Sequence, residues 1–473
     1  MNEPQQPIHL RQFLPVFSAV FLPMFMAAVD QTLLATATPV IAAELGGLRD
    51  TSWIAVAYLL AAAAAVPLYG WAGDRFGLGR ILQWSLGLFT LGSIGCASAL
   101  SLPMLVAARV LQGLGGGGLM TLSQAMIGEL IPPRERARFQ GYFAAVFTLA
   151  AVGGPVMGGL VVAHLSWRVL FWINLPLAAF AVWRLRQLQH PAHPARADSR
   201  VDWLGLGLFP FCVACTIYWL SAVQHRFAWQ APVSIALVLT VLIGMLVLLH
   251  HERRHSQPFL DLELLSQPAI RAALICTMVF AACMFALVFF LPIYMQLFLK
   301  SSAVKSGLLM LPLSSGIVLG ATTGGRAMAM GVLPKWVPAV GLAVSATALG
   351  LLAWLGAEPK MIASLGVVTG LGFGTVMPTT QIIVQTVAGR GRLATATSLA
   401  SLSRSMGAAA GTTVFGALIF GLLPSLPAGA SARDFLLLPP SDIQFAFHLV
   451  FVLMAVTCAA GALVAARAPV VRI

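Results

Sequence analysis

The chain has 473 residues, of which 59% are hydrophobic and only 9% are charged. Soluble domains carry about 25% charged residues, so the composition excludes a soluble globular protein and indicates an integral membrane protein. The net charge of +13 comes from basic residues scattered over many short segments and not gathered on one face, which argues against nucleic-acid binding.

Membrane-spanning helices are predicted from windows of about 20 apolar residues. Fourteen such windows occur along the chain, at 14–36, 51–72, 81–100, 103–128, 139–163, 168–185, 202–222, 231–250, 270–297, 304–328, 334–355, 359–385, 394–423 and 445–466. The first is too long for a cleavable signal peptide, so we expect it to stay in the protein. The predicted fold is an all-α integral membrane protein with 14 transmembrane helices.

The orientation of the spans is predicted from the Lys and Arg residues of the loops. One alternating set of loops carries 19 of these residues and the other set carries 7. This bias predicts that both termini lie in the cytoplasm, as an even number of spans requires. The six cysteines all fall inside spans, where a small apolar thiol is an ordinary packing residue and disulfides are not expected.

Polar linkers at 187–200 and 250–267 divide the spans into groups of six, two and six. We predict an N-terminal six-helix bundle at 1–186, two inserted helices (spans 7 and 8) with their linkers at 187–267, and a C-terminal six-helix bundle at 268–473. Two six-helix halves around a midplane site are a recurrent plan of transporters.

Span 1 contains Asp30 inside an apolar stretch from Phe13 to Ala43, and no other acidic residue of the sequence lies near the centre of a span. A charge at that depth costs about 2.5–3.5 kcal/mol on insertion scales, so an intramembrane carboxylate indicates a functional site. The alternative is a packing residue neutralised by a neighbour. Gln31, which follows it, is a candidate for the lining of a substrate cavity.

The loop after span 2 contains Gly70, Asp74, Arg75, Gly77 and Arg80. The glycines allow a tight turn and close helix contact. Asp74 and the arginines can pair with each other or with helix ends. We expect this loop to latch one conformation of the protein; the pattern also fits a plain turn that carries charges for topology.

Span 4 contains Arg109, which shares a helical face with Gln112, Gly113 and Gly116. An intramembrane arginine needs an acidic or carbonyl partner. At 1.5 Å per residue from the span midpoints, Arg109 lies about 9 Å outward and Asp30 about 4–5 Å outward. We therefore predict that the two residues are coupled, directly or through water, and take part in proton coupling. The alternative is that Arg109 only bonds backbone carbonyls.

Span 5 contains Gly154, Pro155, Gly158 and Gly159. A Gly-Pro step kinks a helix, and Gly154 with Gly158 forms a face of small residues that another helix can approach. We expect this segment to act as a hinge.

Further candidates for the substrate cavity lie in spans 4, 9 and 13, namely Gln112, Phe285, Phe289 and Arg404. Phenylalanine and methionine side chains in span 9 suit an adaptable apolar pocket, but they equally suit positions that face lipid or the core. Arg404 either lines the cavity or pairs with a helix end, and the sequence leaves both open.

Several of these segments resemble one family. The loop at 70–80, placed between spans 2 and 3, resembles the signature loop of the major facilitator superfamily, with Leu78 and Gly79 where basic residues are usual. The segment at 153–159 resembles the antiporter signature of drug:proton exchangers. Residues 30–39 resemble the first-helix motif of the fourteen-helix drug:proton antiporter family, with Ala35 in place of its usual Asn. Further stretches fit the same family, at 167–176, 202–205, 291–296 and 307–312.

The resemblance implies a proton-coupled antiporter that exports lipophilic or monocationic drugs by alternating access. It would reside in the bacterial cytoplasmic (inner) membrane as a monomer and confer antibiotic resistance. Its partners would be lipid and a small-molecule substrate, with protons as the coupling ion and no cofactor or metal. No catalytic constellation and no phosphate-binding GxxxxGK[ST] loop occurs in the sequence, so we do not expect an enzyme. The alternatives are an exporter of an endogenous siderophore, peptide or other anion, and a non-transporting membrane sensor.

Overall fold

The fold is built almost entirely of helices. The computed structural model describes residues 10–45, 52–131, 136, 146, 150, 153–154, 157–187, 202–223, 227–254, 259, 261–301, 303–355, 358–422 and 439–471. The long helices are α1 (Leu10–Leu45), α2 (Ser52–Phe76), α3 (Leu78–Ala97), α4 (Leu102–Leu130), α5 (Asn174–Gln187), α6 (Trp203–Ala222), α7 (Pro232–Glu252), α8 (Pro268–Leu297), α9 (Leu311–Ala329), α10 (Trp336–Leu355), α11 (Pro359–Ala388), α12 (Leu393–Leu422) and α13 (Pro440–Arg467).

Most of the predicted spans coincide with these helices. Within the described ranges, 10 helices are long and apolar enough to cross a membrane, at the positions of predicted spans 2, 4, 6 to 12 and 14. Helices α1, α3 and α12 coincide with predicted spans 1, 3 and 13. Most of span 5 lies outside the described residues, so the total of fourteen stays a prediction. The chain is a multi-pass, all-helical membrane protein.

Several helices are longer than their apolar windows. Helix α11 has 30 residues and α1 has 36. At 1.5 Å per residue these helices measure about 45 and 54 Å, whereas the hydrocarbon core of a bilayer is about 30 Å thick. The backbone hydrogen bonds of a helix continue past the apolar window into the interface, which is why composition marks the span but not the helix ends.

Separate apolar cores hold the helices together. Helices α1 to α5 pack around buried residues that include Phe21 and Phe89. Helices α8 and α10 to α13 pack around a second core that includes Phe373 and Phe447. Because lipid is as apolar as these side chains, the cores stabilise the fold through close packing rather than through removal of water. The domain bounds at 186 and 267 stay a prediction.

Helix α4 is clamped between α2 and α3 by glycine contacts. A Cβ at Gly113 would overlap the carbonyl of Tyr58, and one at Gly117 would overlap the carbonyl of Ala62. A Cβ at Gly115 would overlap the backbone of Phe89 on α3. The glycines therefore let three backbones lie in direct contact, which places the polar face of α4 against its neighbours.

The inserted helix α6 packs beside both groups of helices, and α7 packs against α6. Tyr218 on α6 stacks on Trp53 of α2, with ring centroids 5.8 Å apart. Thr413 Oγ1 on α12 donates a hydrogen bond of 2.6 Å to the carbonyl of Leu220. Helix α6 thus contacts one helix of each group, α2 and α12.

Candidate functional site

A buried ion pair joins α1 to α4. Arg109 Nη1 lies 2.6 Å from Asp30 Oδ2. Asp30 is only 4% exposed and Arg109 only 1% exposed. The two charges that the sequence analysis placed at similar depth are therefore in direct contact, with no bridging water needed.

Gln112 completes the pairing of the carboxylate. Its Nε2 donates to Asp30 Oδ1 at 2.8 Å and to Ser93 Oγ at 2.8 Å. Its Oε1 accepts from Arg109 Nη1 at 2.7 Å. Both carboxylate oxygens of Asp30 thus accept hydrogen bonds, which is the arrangement that suits an ionised carboxylate.

Arg109 has further partners besides Asp30. Its Nε donates to the carbonyl of Ile54 at 3.0 Å. Its guanidinium carbon lies 4.3 Å from the centre of the Tyr58 ring, a cation–π distance. The guanidinium is therefore held by α2 as well as by α1, and it has three partners besides Asp30, namely Ile54, Tyr58 and Gln112.

The polar network extends beyond the residues that the sequence analysis identified. Asn174 Nδ2 on α5 donates to Ser93 Oγ at 3.1 Å, and both residues are buried. Asn174 had a signal in the sequence, since it is a polar residue inside the predicted span 168–185. Ser93 had none, because small hydroxyl residues are common in membrane helices.

A second polar cluster ties the C-terminal end of α1 to its neighbours. Glu44 accepts 2.6 Å hydrogen bonds from Arg168 Nη1 and Trp167 Nε1. The hydrogen bonds from Arg168 and then Trp167 hold the pKa of the Glu44 carboxyl below its ordinary value. Arg168 Nη2 also donates to the carbonyl of Ala99 at 3.1 Å. This cluster fixes the end of α1 beside the ends of α3 and α5.

The predicted latch loop contacts the start of α12. Asp74 Oδ1 accepts from the N–H of Ala394 and Oδ2 from the N–H of Thr395, both at 2.8 Å. These donors lie in the first helical turn, where the helix dipole also favours a negative charge. A Cβ at Gly70 would overlap the side chain of Ser398. The segment is not a loop as predicted, because α2 continues to Phe76, α3 begins at Leu78, and only Gly77 lies between them. Asp74, near the end of α2, therefore joins the two groups of helices as a carboxylate that caps α12.

The other predicted latch residues have different roles. Gly77 has φ = +93°, a conformation that other residues adopt only with strain. Arg75 lies over the ring of Trp71, 5.4 Å from its centre. Arg80 is exposed. A second ion pair at this end, between Arg392 Nη1 and Glu263 Oε2 at 2.9 Å, had no signal in the sequence reading.

We expect Asp74→Asn to weaken the contact between α2 and α12. The asparagine side chain has one oxygen that can still accept from one backbone N–H, but its NH2 group faces the other backbone N–H, and two donors cannot bond each other. The substitution also removes the negative charge that the helix dipole favours. Loss of a cap costs about 0.5–2 kcal/mol, so the joined conformation should lose several-fold in population.

Spin labels at two exposed positions, Arg80 and Met330, measure this change. Double electron–electron resonance gives the distribution of distances between the two labels. The Asp74→Asn protein should show a longer distance component than the parent. Asp442→Asn, which removes a carboxylate from the first turn of α13, is the control. An unchanged distance distribution in Asp74→Asn would show that the cap does not hold this conformation.

The predicted hinge segment touches α1 next to Asp30. A Cβ at Gly154 would overlap Thr32 Oγ1, which itself donates to the carbonyl of Ala150 at 2.9 Å. Gly158 is buried, and Gly159 faces open space. Pro155 lies outside the described residues. The small face therefore contacts α1 through Gly154. The contact is with Thr32, which lies two residues after the buried Asp30.

The predicted cavity residues are divided among several environments. Gln112 is fully buried inside the ion-pair network and does not line open space in this conformation. Phe285 is half-buried and Phe289 is 58% exposed. Arg404 on α12 approaches α4, where its Nη2 lies 3.0 Å from the sulfur of Met120. The side chain of Gln31 lies outside the described part of the chain.

Comparison with known proteins identifies the family. Residues 20–412 match the Major Facilitator Superfamily. The chain belongs to this superfamily. It is 32% identical over 410 residues to an uncharacterised MFS-type transporter of Mycobacterium tuberculosis, covering 86% of this chain and 60% of that protein. It is 30% identical over 433 residues to the multidrug transporter protein MdtP of Bacillus subtilis, covering 88% of this chain and 79% of that protein.

The fold is also that of a solved membrane transporter. The structure of the human organic anion transporter MFSD10 (TETRAN) superposes with a TM-score of 0.67 at 16% identity, covering 96% of this chain and 100% of that chain. The chain spans 60% of the length of the Mycobacterium tuberculosis relative, and both that relative and the one from Bacillus subtilis are named as transporters.

Proposed function

We propose that this transporter is a proton-coupled antiporter that exports lipophilic small molecules by alternating access, within the fourteen-helix drug:proton antiporter branch. The observation that carries the proposal is the ion pair of Asp30 and Arg109, 4% and 1% exposed. A buried carboxylate that is held by a single guanidinium and an amide can exchange its charge for a proton without disrupting the rest of the helix packing.

The network supplies the proton cycle. When Asp30 accepts a proton, the attraction between α1 and α4 weakens, and Arg109 keeps Gln112 Oε1 and the carbonyl of Ile54 as partners. Release of the proton on the other side restores the pair. A movement of α1 is transmitted to span 5 through Gly154, because Gly154 packs on Thr32, two residues after Asp30.

In this proposal, a conformation closed at one end is one stage of the cycle. Asp74 holds the start of α12, and Gln385 Nε2 on α11 donates to the carbonyl of Gln124 on α4 at 3.0 Å. Both contacts join the two groups of helices at the same end. With both termini in the cytoplasm of a bacterial inner membrane, this end is the cytoplasmic one and the conformation is closed toward the cytoplasm.

Export is the direction that the relatives support. The Bacillus subtilis relative is named a multidrug transporter, and a relative from Gibberella fujikuroi, 29% identical over 416 residues, is named an efflux pump. An exporter of this kind would confer resistance to the compounds that it removes.

The test is proton movement in proteoliposomes that enclose a pH-sensitive dye. Protein is reconstituted with valinomycin and potassium to clamp the membrane potential, and lipophilic anionic, neutral and cationic dyes are added one at a time. We expect the transport of at least one of the added lipophilic dyes to be accompanied by proton movement in the opposite direction. Dye transport without proton movement would make the protein a uniporter, and binding without transport would make it a sensor.

A further inference from the structure

Arg404 lies at the contact between the two groups of helices. It occupies the middle part of α12, and its Nη2 reaches the sulfur of Met120 on α4 at 3.0 Å. Part of the side chain stays accessible even though it lies far from either end of a membrane-spanning helix. The guanidinium therefore lies where α12 of one group meets α4 of the other.

This guanidinium has no counter-charge within the described residues. A thioether is a weak acceptor, and a cation at membrane depth requires an acidic or carbonyl partner. The sole acidic residue of the sequence near a span centre, Asp30, is paired with Arg109. The remaining described ion pairs involve acids at helix ends: Glu44, Asp202, Asp261 and Glu263. A ligand with a negative charge would supply the partner that Arg404 lacks.

A second donor lies beside it on α4. Gln124 follows Met120 by one helical turn, about 6 Å along the axis. It is 1% exposed, and its Nε2 has no hydrogen-bond partner among the described residues. A buried amide donor without a partner costs about 1–3 kcal/mol, so an acceptor is expected there at some stage of the cycle. Arg404, in contact with Met120, and Gln124, one turn further along α4, are thus two donors along the same stretch of α4.

We propose that Arg404 and Gln124 form an anion subsite, and that the substrate class is a lipophilic monoanion with a carboxylate, sulfonate or phosphate head group. The proposal rests on the proposed export function. The flexible thioether of Met120 moves aside when the head group binds, because methionine adapts its conformation at low cost. The subsite disfavours the monocationic drugs that the family resemblance implied, since a cation would meet the positive charge of Arg404.

The test uses two probes with the same ring system and opposite charge, pyrene-1-sulfonate and pyren-1-ylmethylammonium. Binding to the full-length protein in nanodiscs of phosphatidylcholine is measured by energy transfer from tryptophan. We expect the parent to bind the sulfonate more tightly. Arg404→Gln should lose on the order of tenfold or more in sulfonate affinity, as for other charge-assisted hydrogen bonds, without weakening ammonium binding.

Two further variants keep the test decisive if Arg404→Gln does not fold. Arg404→Lys retains the charge and should keep most of the sulfonate affinity, whereas Gln124→Leu should lose several-fold. Equal affinity of the parent for both probes, or unchanged sulfonate binding in Arg404→Gln and Gln124→Leu, would overturn the subsite.

A third arm distinguishes a substrate from a lipid. Nanodiscs that contain phosphatidylglycerol should leave sulfonate binding unchanged. Loss of sulfonate binding in these nanodiscs would assign the subsite to a lipid head group and overturn the substrate class. Because binding needs no proton gradient, failure of this test leaves proton-coupled export standing, and failure of proton coupling leaves the subsite standing.

Discussion

Asp30→Asn is expected to abolish proton-driven export. The asparagine side chain cannot take up and release a proton at the pH of the membrane surface, so the cycle loses its coupling ion. Downhill movement of the substrate should remain, because alternation between conformations does not itself require the carboxylate. The measurement is uphill export in proteoliposomes with an imposed pH gradient, compared with exchange of the same substrate without a gradient.

The structure adds a stability cost to this substitution. The introduced amide keeps an acceptor for Arg109 but leaves the guanidinium without a counter-charge, and breaking a buried pair costs about 3–5 kcal/mol when one partner is removed outright. We expect a lower yield of folded protein. The matched control is Asp30→Asn combined with Arg109→Gln, which removes both charges and should recover stability without recovering uphill export.

The single variant Asp30→Asn and the double variant with Arg109→Gln together distinguish a role of Asp30 in proton coupling from a role in packing. Recovered folding with absent uphill export supports a proton site at Asp30. Full uphill export by the stable double variant would contradict it and leave the ion pair as a packing element that joins α1 to α4.

Gly117→Ala is expected to lower the amount of folded transporter sharply. The added Cβ would overlap the carbonyl of Ala62 on α2, so the two backbones must separate. Overpacking against a rigid backbone costs about 1–3 kcal/mol or more, because no flexible side chain can yield. Separation of α2 from α4 would also displace the carbonyl of Ile54 and the ring of Tyr58 from Arg109.

Gly87→Ala is the matched control. It makes the same chemical change in a neighbouring helix, α3, at an exposed position where a Cβ would meet nothing within 4 Å. Alanine has the higher helix propensity, so this variant should equal or exceed the parent by up to about 1 kcal/mol. The thermal unfolding midpoints of the purified proteins measure both effects. Equal midpoints for the two variants would show that the contact of α4 with α2 tolerates a methyl group.

The sequence predicted the ion pair because few partners exist for a charge in an apolar helix. Asp30 and Arg109 were matched from the helical rise alone, and the structure places their side chains in contact at 2.6 Å. The segment at 70–80 was a candidate as well, since its glycines and charges separate two apolar windows, and its role as a latch stays a prediction. The partners of Asp74 were not predicted, because they are backbone N–H groups 320 and 321 residues away, and a backbone donor leaves no signature in a sequence.

The amino-acid sequence by itself determined that this protein spans a membrane, where most of its spans lie and that Asp30 and Arg109 are charges within spans, because a charge in lipid costs enough free energy to stand out in an apolar window. The tertiary structure alone decided which further side chains contact these charges. Gln112 became a bridge between Asp30 and Ser93, and Arg404 was left beside a thioether. These outcomes depend on how closely glycine-lined helices approach one another, and that distance is set by the packing of the whole fold.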